Sequence, residues 1–183
     1  MVIVPFIPSP MEAVKTALAM ARVSASDILY DLGAGDGRIV IEAARRGAKA
    51  VAIEIDPSLA MLIWCKAIEE KLEDKIEVLN EDFFKVYLGN ATVIYQYVYP
   101  SISAELAKKY EKELRIGTRI IALDLPIPDW IPVIVKRFID ENGVLRTIFL
   151  YVKGISNPES WKLRINTISP KILSHVMGIA RSS

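Results

Sequence analysis

The stretch Asp31-Leu32-Gly33-Ala34-Gly35-Asp36-Gly37-Arg38 constrains the fold of this chain more than any other. It follows an apolar run, Ile28-Leu29-Tyr30, that reads as a short buried strand. It precedes Ile39-Val40-Ile41-Glu42-Ala43-Ala44, which reads as the start of a helix. A strand, a glycine turn and a helix in that order build a nucleotide-type site. Glycines let the backbone approach a ligand closely, and the first N–H groups of the helix face the turn without partners.

Spacing and charge decide which ligand fits. A dinucleotide turn is written G-x-G-x-x-G and seats a pyrophosphate, whereas this turn is G-x-G-x-G with Asp31 two residues ahead of it. A carboxylate there repels phosphate and pairs with an ammonium, such as the one on the amino-acid end of S-adenosylmethionine. A second apolar strand, Ala50-Val51-Ala52-Ile53-Glu54-Ile55, ends on Glu54, where a carboxylate accepts hydrogen bonds from ribose hydroxyls. Nicotinamide dinucleotides share that feature, so Glu54 indicates adenosine without choosing between the two. A third strand, Ile76 to Leu79, leads to Asp82 and Phe83, placed for an adenine amino group and its ring. The candidate cofactor-binding set is Asp31, Gly33, Ala34, Gly35, Gly37, Glu54, Ile55, Asp82 and Phe83. Glycine turns also occur where packing alone requires them; three acids at the ends of three successive strands favour S-adenosylmethionine here.

The full chain of 183 residues is 52% hydrophobic, with positive mean hydropathy, which suits near-continuous Val/Ile strands in a parallel sheet. Taken in order, Val2 to Pro8 is extended. Ser9 is expected to cap a helix, with Pro10 at its first position and Glu12 completing a capping box. Phe6 to Pro10 reads equally as a lid over the cofactor or as a packed arm. Val14, Ala17, Leu18 and Ala21 give the helix one apolar face. Later helices are expected from Arg38 to Arg46, capped by Gly47, and from Asp56-Pro57-Ser58 to about Glu73. Strand four is Ala91 to Tyr97. The next helix carries Lys108, Lys109, Glu111, Lys112 and Glu113, and strand five is Arg119 to Leu123. Val133–Asp140 and Val144–Lys153, joined by Glu141-Asn142-Gly143, read as an antiparallel hairpin.

These elements predict an α/β fold: a doubly wound, mostly parallel seven-stranded sheet of Rossmann-like type with one antiparallel strand from an edge hairpin. Residues 1–154 form the expected domain, and 155–183 a C-terminal extension that packs or makes oligomer contacts. Trp161, Leu163 and Ile165 alternate there, and Ser169-Pro170 opens a short helix. No apolar run reaches membrane-spanning length, and the N-terminus lacks a signal-peptide layout. One cysteine and one histidine leave no metal cluster; Cys65 reads as a small buried residue and His175 as incidental. The expected compartment is the cytoplasm. A formal net charge of +1 argues against a strong field for nucleic acid.

Methyl transfer from a sulfonium is an in-line displacement, so the protein mainly positions its reactants. An amine acceptor such as lysine must first lose a proton, which a narrow aromatic channel favours. Tyr97, Tyr99, Asp124 and Trp130, on the loops after strands four and five, are the candidate catalytic residues, with Asp124 drawing in the cation. Each aromatic taken singly fits the core as well; their shared location groups them. At these positions the chain resembles a known family. Val4-Pro5-Phe6-Ile7-Pro8-Ser9-Pro10, the Asp31–Arg38 turn, Glu54, Asp124 and Trp130 look like the small archaeal protein lysine methyltransferases. That family is related to the mitochondrial ATP-synthase c-subunit lysine methyltransferase and to the non-SET histone lysine methyltransferases. The likeness runs from about Val4 to Val152. It implies cofactor contacts at Asp31, Gly33, Gly35, Glu54 and Asp82, a lysine channel near Tyr97 and Tyr99, and a protein substrate. RNA or small-molecule methylation, and a non-enzymatic S-adenosylmethionine-binding module, are the alternatives. Tyr97-Val98-Tyr99-Pro100 is not the Asn/Asp-Pro-Pro-Tyr/Phe run expected of amine-directed nucleic-acid enzymes.

Overall fold

The computed structural model describes residues 8–160. The element order is α1 (Met11–Met20), β1 (Ile28–Leu32), α2 (Arg38–Arg45), β2 (Lys49–Ile53), α3 (Pro57–Glu69) and β3 (Ile76–Leu79). β4 (Val93–Gln96), α4 (Pro100–Glu113), β5 (Arg119–Leu123), β6 (Ile134–Ile139) and β7 (Leu145–Val152) follow. The strands form one sheet in the order β3-β2-β1-β4-β5-β7-β6. β1 pairs in parallel with β2 and β4, and β7 runs antiparallel to both β5 and β6. The sheet is thus the expected Rossmann-like one. Its single reversed strand is the second of the hairpin, lying inside β6 rather than at the rim.

Continuous apolar strands fit because both faces are covered. On one face α1, α2 and α3 lay Val14, Leu18, Val40, Ala44 and Ile63 over Leu29, Ala52 and Ile121. On the other, Leu106 and Tyr110 of α4, with Trp130 and Ile127, cover Leu32, Ile94 and Ile120. Complete burial of a side chain such as Leu29 or Ile94 stabilises by roughly 1.5–3 kcal/mol. The switch between helices on the two faces falls at β1 and β4, which places a ligand crevice at their C-terminal ends.

Several local expectations change. Ser9 does not cap α1, and no capping box forms: Pro10 stands at the N-cap with no side-chain bond. The Ser9 hydroxyl instead accepts from the buried Tyr95 hydroxyl at 3.0 Å. α3 does begin as read, with Asp56 accepting from Ser58 N and Leu59 N and Pro57 in the first turn. It stops at Glu69 rather than near Glu73, because Lys71 takes a left-handed conformation (φ 57°) and Leu72 N turns back to Ala67 O. Cys65 is exposed, not buried, on the outer side of α3. β4 is shorter at both ends than its apolar run. Val2–Ile7, with the Phe6 part of the lid or arm, and the tail reading of Trp161, Leu163, Ile165, Ser169-Pro170 and His175 lie outside the described residues.

Candidate cofactor and acceptor site

The glycine turn closes on itself before it meets any ligand. Gly33 N and Ala34 N both donate to Ile53 O, at 2.9 and 3.1 Å, tying the end of β1 to the end of β2. Gly35 N donates to Glu54 Oε2 at 2.7 Å, and Asp56 N donates to Glu54 Oε1 at 2.9 Å. Each Glu54 oxygen therefore keeps a lone pair for a further donor such as a sugar hydroxyl. Gly33 has φ 85°, and a Cβ built there meets nothing within 4 Å. The space beside that backbone is open, as a ligand lying along it requires.

Asp31 carries the clearest signal. Its side chain is buried, and among the described residues Oδ2 has no hydrogen-bond partner. Burial, with Glu54 and then Asp36 nearby, holds its carboxyl well above the usual range. A buried carboxylate without a partner is costly, and a cation with N–H groups is the partner it lacks. Asp36 is differently placed. Arg38 grips it with two bonds, Nε to Oδ1 at 2.9 Å and Nη2 to Oδ2 at 2.6 Å, and that hydrogen bonding holds its carboxyl below the usual range. Lys66 reaches across from α3 to Asp36 O at 2.8 Å. Arg38 Nη1 also donates to Ser9 O at 2.7 Å, so the start of the chain's described part is pinned against the turn.

The expected adenine side comprises the loops after β2 and β3. Asn80 Nδ2 donates to Glu54 O and Ile55 O, at 2.9 and 3.0 Å, which sets Ile55 on the same rim as Asp82. Ile55 is 46% exposed, an apolar surface open to a ring. Asp82 Oδ1 holds Phe84 N at 2.9 Å, and Phe83 is half-buried with its ring 4.9 Å from that of Phe84. The carboxylate of Asp31, the turn, Glu54, Ile55 and Asp82 thus succeed one another along the edge. That donor set fits S-adenosylmethionine: a cation partner, a ribose acceptor and an apolar rim, with no phosphate clamp.

On the acceptor side the four candidate residues separate. Tyr97 is half-buried at the end of β4, its hydroxyl among Asp124 and Arg146, and burial first, then Asp124, pushes it up. Tyr99 is the N-cap of α4 and 47% exposed. Asp124 corrects the reading of a free carboxylate that attracts a cation. Its Oδ2 pairs with Arg146 Nη1 at 2.7 Å and its Oδ1 accepts from Thr147 N at 2.9 Å. Trp130 is a second correction, because the loop after β5 descends over the α4 face instead of staying at the edge. Trp130 is 6% exposed and packs edge-on against Tyr110 and Tyr151, both at 6.3 Å. It belongs to the core.

Sequence reasoning missed Ser9 as an anchor, Asn80, Tyr95 and Arg146. Tyr95 did leave a signal, a hydroxyl directly after the apolar pair Val93-Ile94 inside a strand. Arg146 left none, since its partner Asp124 stands 22 residues away.

Comparison with known proteins agrees with this geometry. A model of the ANTKMT methyltransferase domain matches residues 31–134. A protein-lysine N-methyltransferase of Saccharolobus islandicus is 34% identical over 153 residues, covering 82% of this chain and 94% of that protein. The adenine nucleotide translocase lysine N-methyltransferase of Mus musculus is 30% identical over 133 residues, 72% of this chain but only 58% of that one. An RNA methyltransferase structure from Salinibacter ruber, in complex with S-adenosyl-L-homocysteine, superposes with a TM-score of 0.77 at 36% identity. It covers 84% of this chain and 97% of that one. The chain therefore belongs to the ANTKMT methyltransferase domain family and is an S-adenosylmethionine-dependent methyltransferase.

Proposed function

We propose that this methyltransferase N-methylates lysine side chains of proteins. The observation that carries the reading is the cluster after β4 and β5, read as the acceptor mouth: the half-buried Tyr97 has its hydroxyl beside Asp124, that carboxylate is already paired with Arg146, and Tyr99, two residues on, is an exposed aromatic. An aliphatic stem ending in an amine suits such a mouth, and the paired carboxylate leaves the amine free to be neutral. The Saccharolobus relative, whose length this chain nearly spans, is named for the same reaction.

S-adenosylmethionine supplies an electrophilic methyl group on a sulfonium. The chain's own residues do the rest. Asp31 binds the cofactor's ammonium, Glu54 its ribose, and Ile55 and Asp82 its base, which fixes the donor's position along the sheet edge. Tyr97 and Tyr99 orient the acceptor and exclude water from it. A lysine ammonium, with a reference pKa of about 10.4, must lose a proton before its nitrogen attacks, and desolvation there favours the neutral form. Positioning two bound reactants in line then supplies most of the acceleration.

The cytoplasm is the compartment proposed, on the chain's sparing use of cysteine; among the described residues no helix is long and apolar enough to cross a membrane. Residues 155–183 are proposed as an extension of the domain 1–154, and Ser156 and Asn157 at its start are buried. One observation favours a second reading, RNA methylation: the Salinibacter structure bears that title at 36% identity. A net charge of +1 offers little phosphate attraction in its support. Incubation with methyl-labelled cofactor and separated protein and RNA fractions of a lysate decides between them. Label on protein lysines, located by mass spectrometry, is expected. Label confined to RNA overturns the proposal.

A further inference from the structure

We propose that Arg146 is a positioning residue on the acceptor side, clamping Asp124 so that this carboxylate does not trap an incoming lysine as its ammonium. The inference rests on the lysine reading above. Arg146 projects from β7 between two acids, Nη1 to Asp124 Oδ2 at 2.7 Å and Nε to Asp140 Oδ2 at 2.8 Å. Both acids are fixed by backbone as well. Asp124 Oδ1 accepts from Thr147 N, while Asp140 Oδ1 accepts from Asn142 N and Val144 N and so closes the hairpin turn. The side chains of Arg146 and Asp124 are only 15% and 21% exposed, so solvent screens the pair little.

Charged and titratable groups reach this spot from every neighbouring element. Tyr95 of β4 and Tyr97, just after it, face Asp124, and Tyr95 also faces Asp31 of β1. Arg38 of α2 faces Glu141 of the hairpin but is taken up by Asp36. Asp31 is the partner proposed for the cofactor. Among the described residues, only Arg146 is bonded to Asp124 and Asp140 as a cation. Take it away, and Asp124 loses its cation on the side proposed for the amine. A nearby negative charge favours the protonated form of an amine, so the acceptor gives up its proton only at higher pH.

The test is the rate of label transfer into a total-protein fraction as a function of pH, with cofactor binding measured by calorimetry. Arg146→Gln should move the acid limb of the profile to higher pH by about one unit, with about a tenfold loss near neutrality and recovery in alkali. Its affinity for S-adenosylmethionine should stay within about twofold of wild type, as expected for a group that touches the acceptor side alone. Asp124→Asn combined with Arg146→Gln should bring the limb back, and Arg146→Lys should largely preserve it. Should Arg146→Gln fail to fold, Asp124→Asn alone still decides, since loss of the acceptor-side carboxylate, with Arg146 still held by Asp140, should shift the limb towards acid. A uniform loss at all pH values, or a double variant that stays displaced, overturns the proposal. If wild type labels no protein lysine, the lysine reading fails; if it does so and the limb never moves, only the role of Arg146 fails.

Discussion

Asp31 gives up its proton at a higher pH than an ordinary aspartate, because it is buried and lies beside Glu54 and Asp36. The sign of the consequence follows. With the folded-state value raised, the folded chain binds more protons than the unfolded one between the ordinary carboxylate range and the raised value. Stability of the free protein therefore falls as pH rises through that window. Asp31→Asn lacks this penalty, so its melting temperature without cofactor should equal or exceed wild type at neutral pH and vary less with pH. A lower and equally pH-dependent melting temperature would contradict the assignment. Binding should behave oppositely. An ammonium against Asp31 stabilises the carboxylate, so wild type should release a proton on binding cofactor at any pH below the raised value. Calorimetry in buffers of different ionisation enthalpy detects that release. Asp31→Asn should abolish it and weaken binding by roughly 2–5 kcal/mol, the usual effect of removing one partner of a buried charged pair.

At the scale of elements, the turn and α2 show what an adjacent residue adds to a backbone constraint. Gly33 and Gly37 both have positive φ, 85° and 81°, so alanine at either costs roughly 1–2 kcal/mol in backbone strain. The surroundings differ. A Cβ at Gly33 meets open space, whereas one at Gly37 lies 2.9 Å from Ile63 Cγ1 on α3. Gly37→Ala should therefore lose more stability than Gly33→Ala, by about 1 kcal/mol or more, as overpacking does. Chemical denaturation of both variants measures this. Ile63→Ala, which removes both crowding γ carbons, should cost less stability in Gly37→Ala than in wild type, and as much in Gly33→Ala as in wild type. Gly33→Ala should instead lose affinity for cofactor, since its methyl points into the space the ligand needs. This glycine turn was legible from sequence because its chemistry is local: strand, turn, helix and acid fall within a dozen residues. The cap of α1 was not. Ser9 has the right offset for a cap, yet a hydroxyl 86 positions away offers it a buried partner. Tertiary pairing outweighed a local rule.

At the scale of the whole molecule the same division holds. The parallel strands could be read because burial on both faces makes them apolar throughout, and strand ends could be ranked because ligands gather there. Trp130 and Asp124 were misplaced because their positions depend on where the loop after β5 goes and on which strand β7 joins. Neither is written in local spacing. The hairpin that captures Asp124 also leaves β6 at the rim, paired among the described residues with β7 alone, with Ile134, Val135 and Ile139 each at least 45% exposed. Strands β1, β4 and β5 are bonded on both sides and almost wholly buried. Opening free energies should follow that gradient. In hydrogen exchange, peptides from β6 should exchange first, β3 at the opposite rim next, and β1, β4 and β5 only with global unfolding. Adding S-adenosylmethionine should slow exchange in residues 31–38 and 53–56, which surround the proposed cofactor positions, and leave β6 unchanged. Equal protection of β6 and β5 in the free protein would show that the rim of the sheet is covered. Cofactor-induced protection confined to β6 would place the ligand elsewhere than at the ends of β1 and β2.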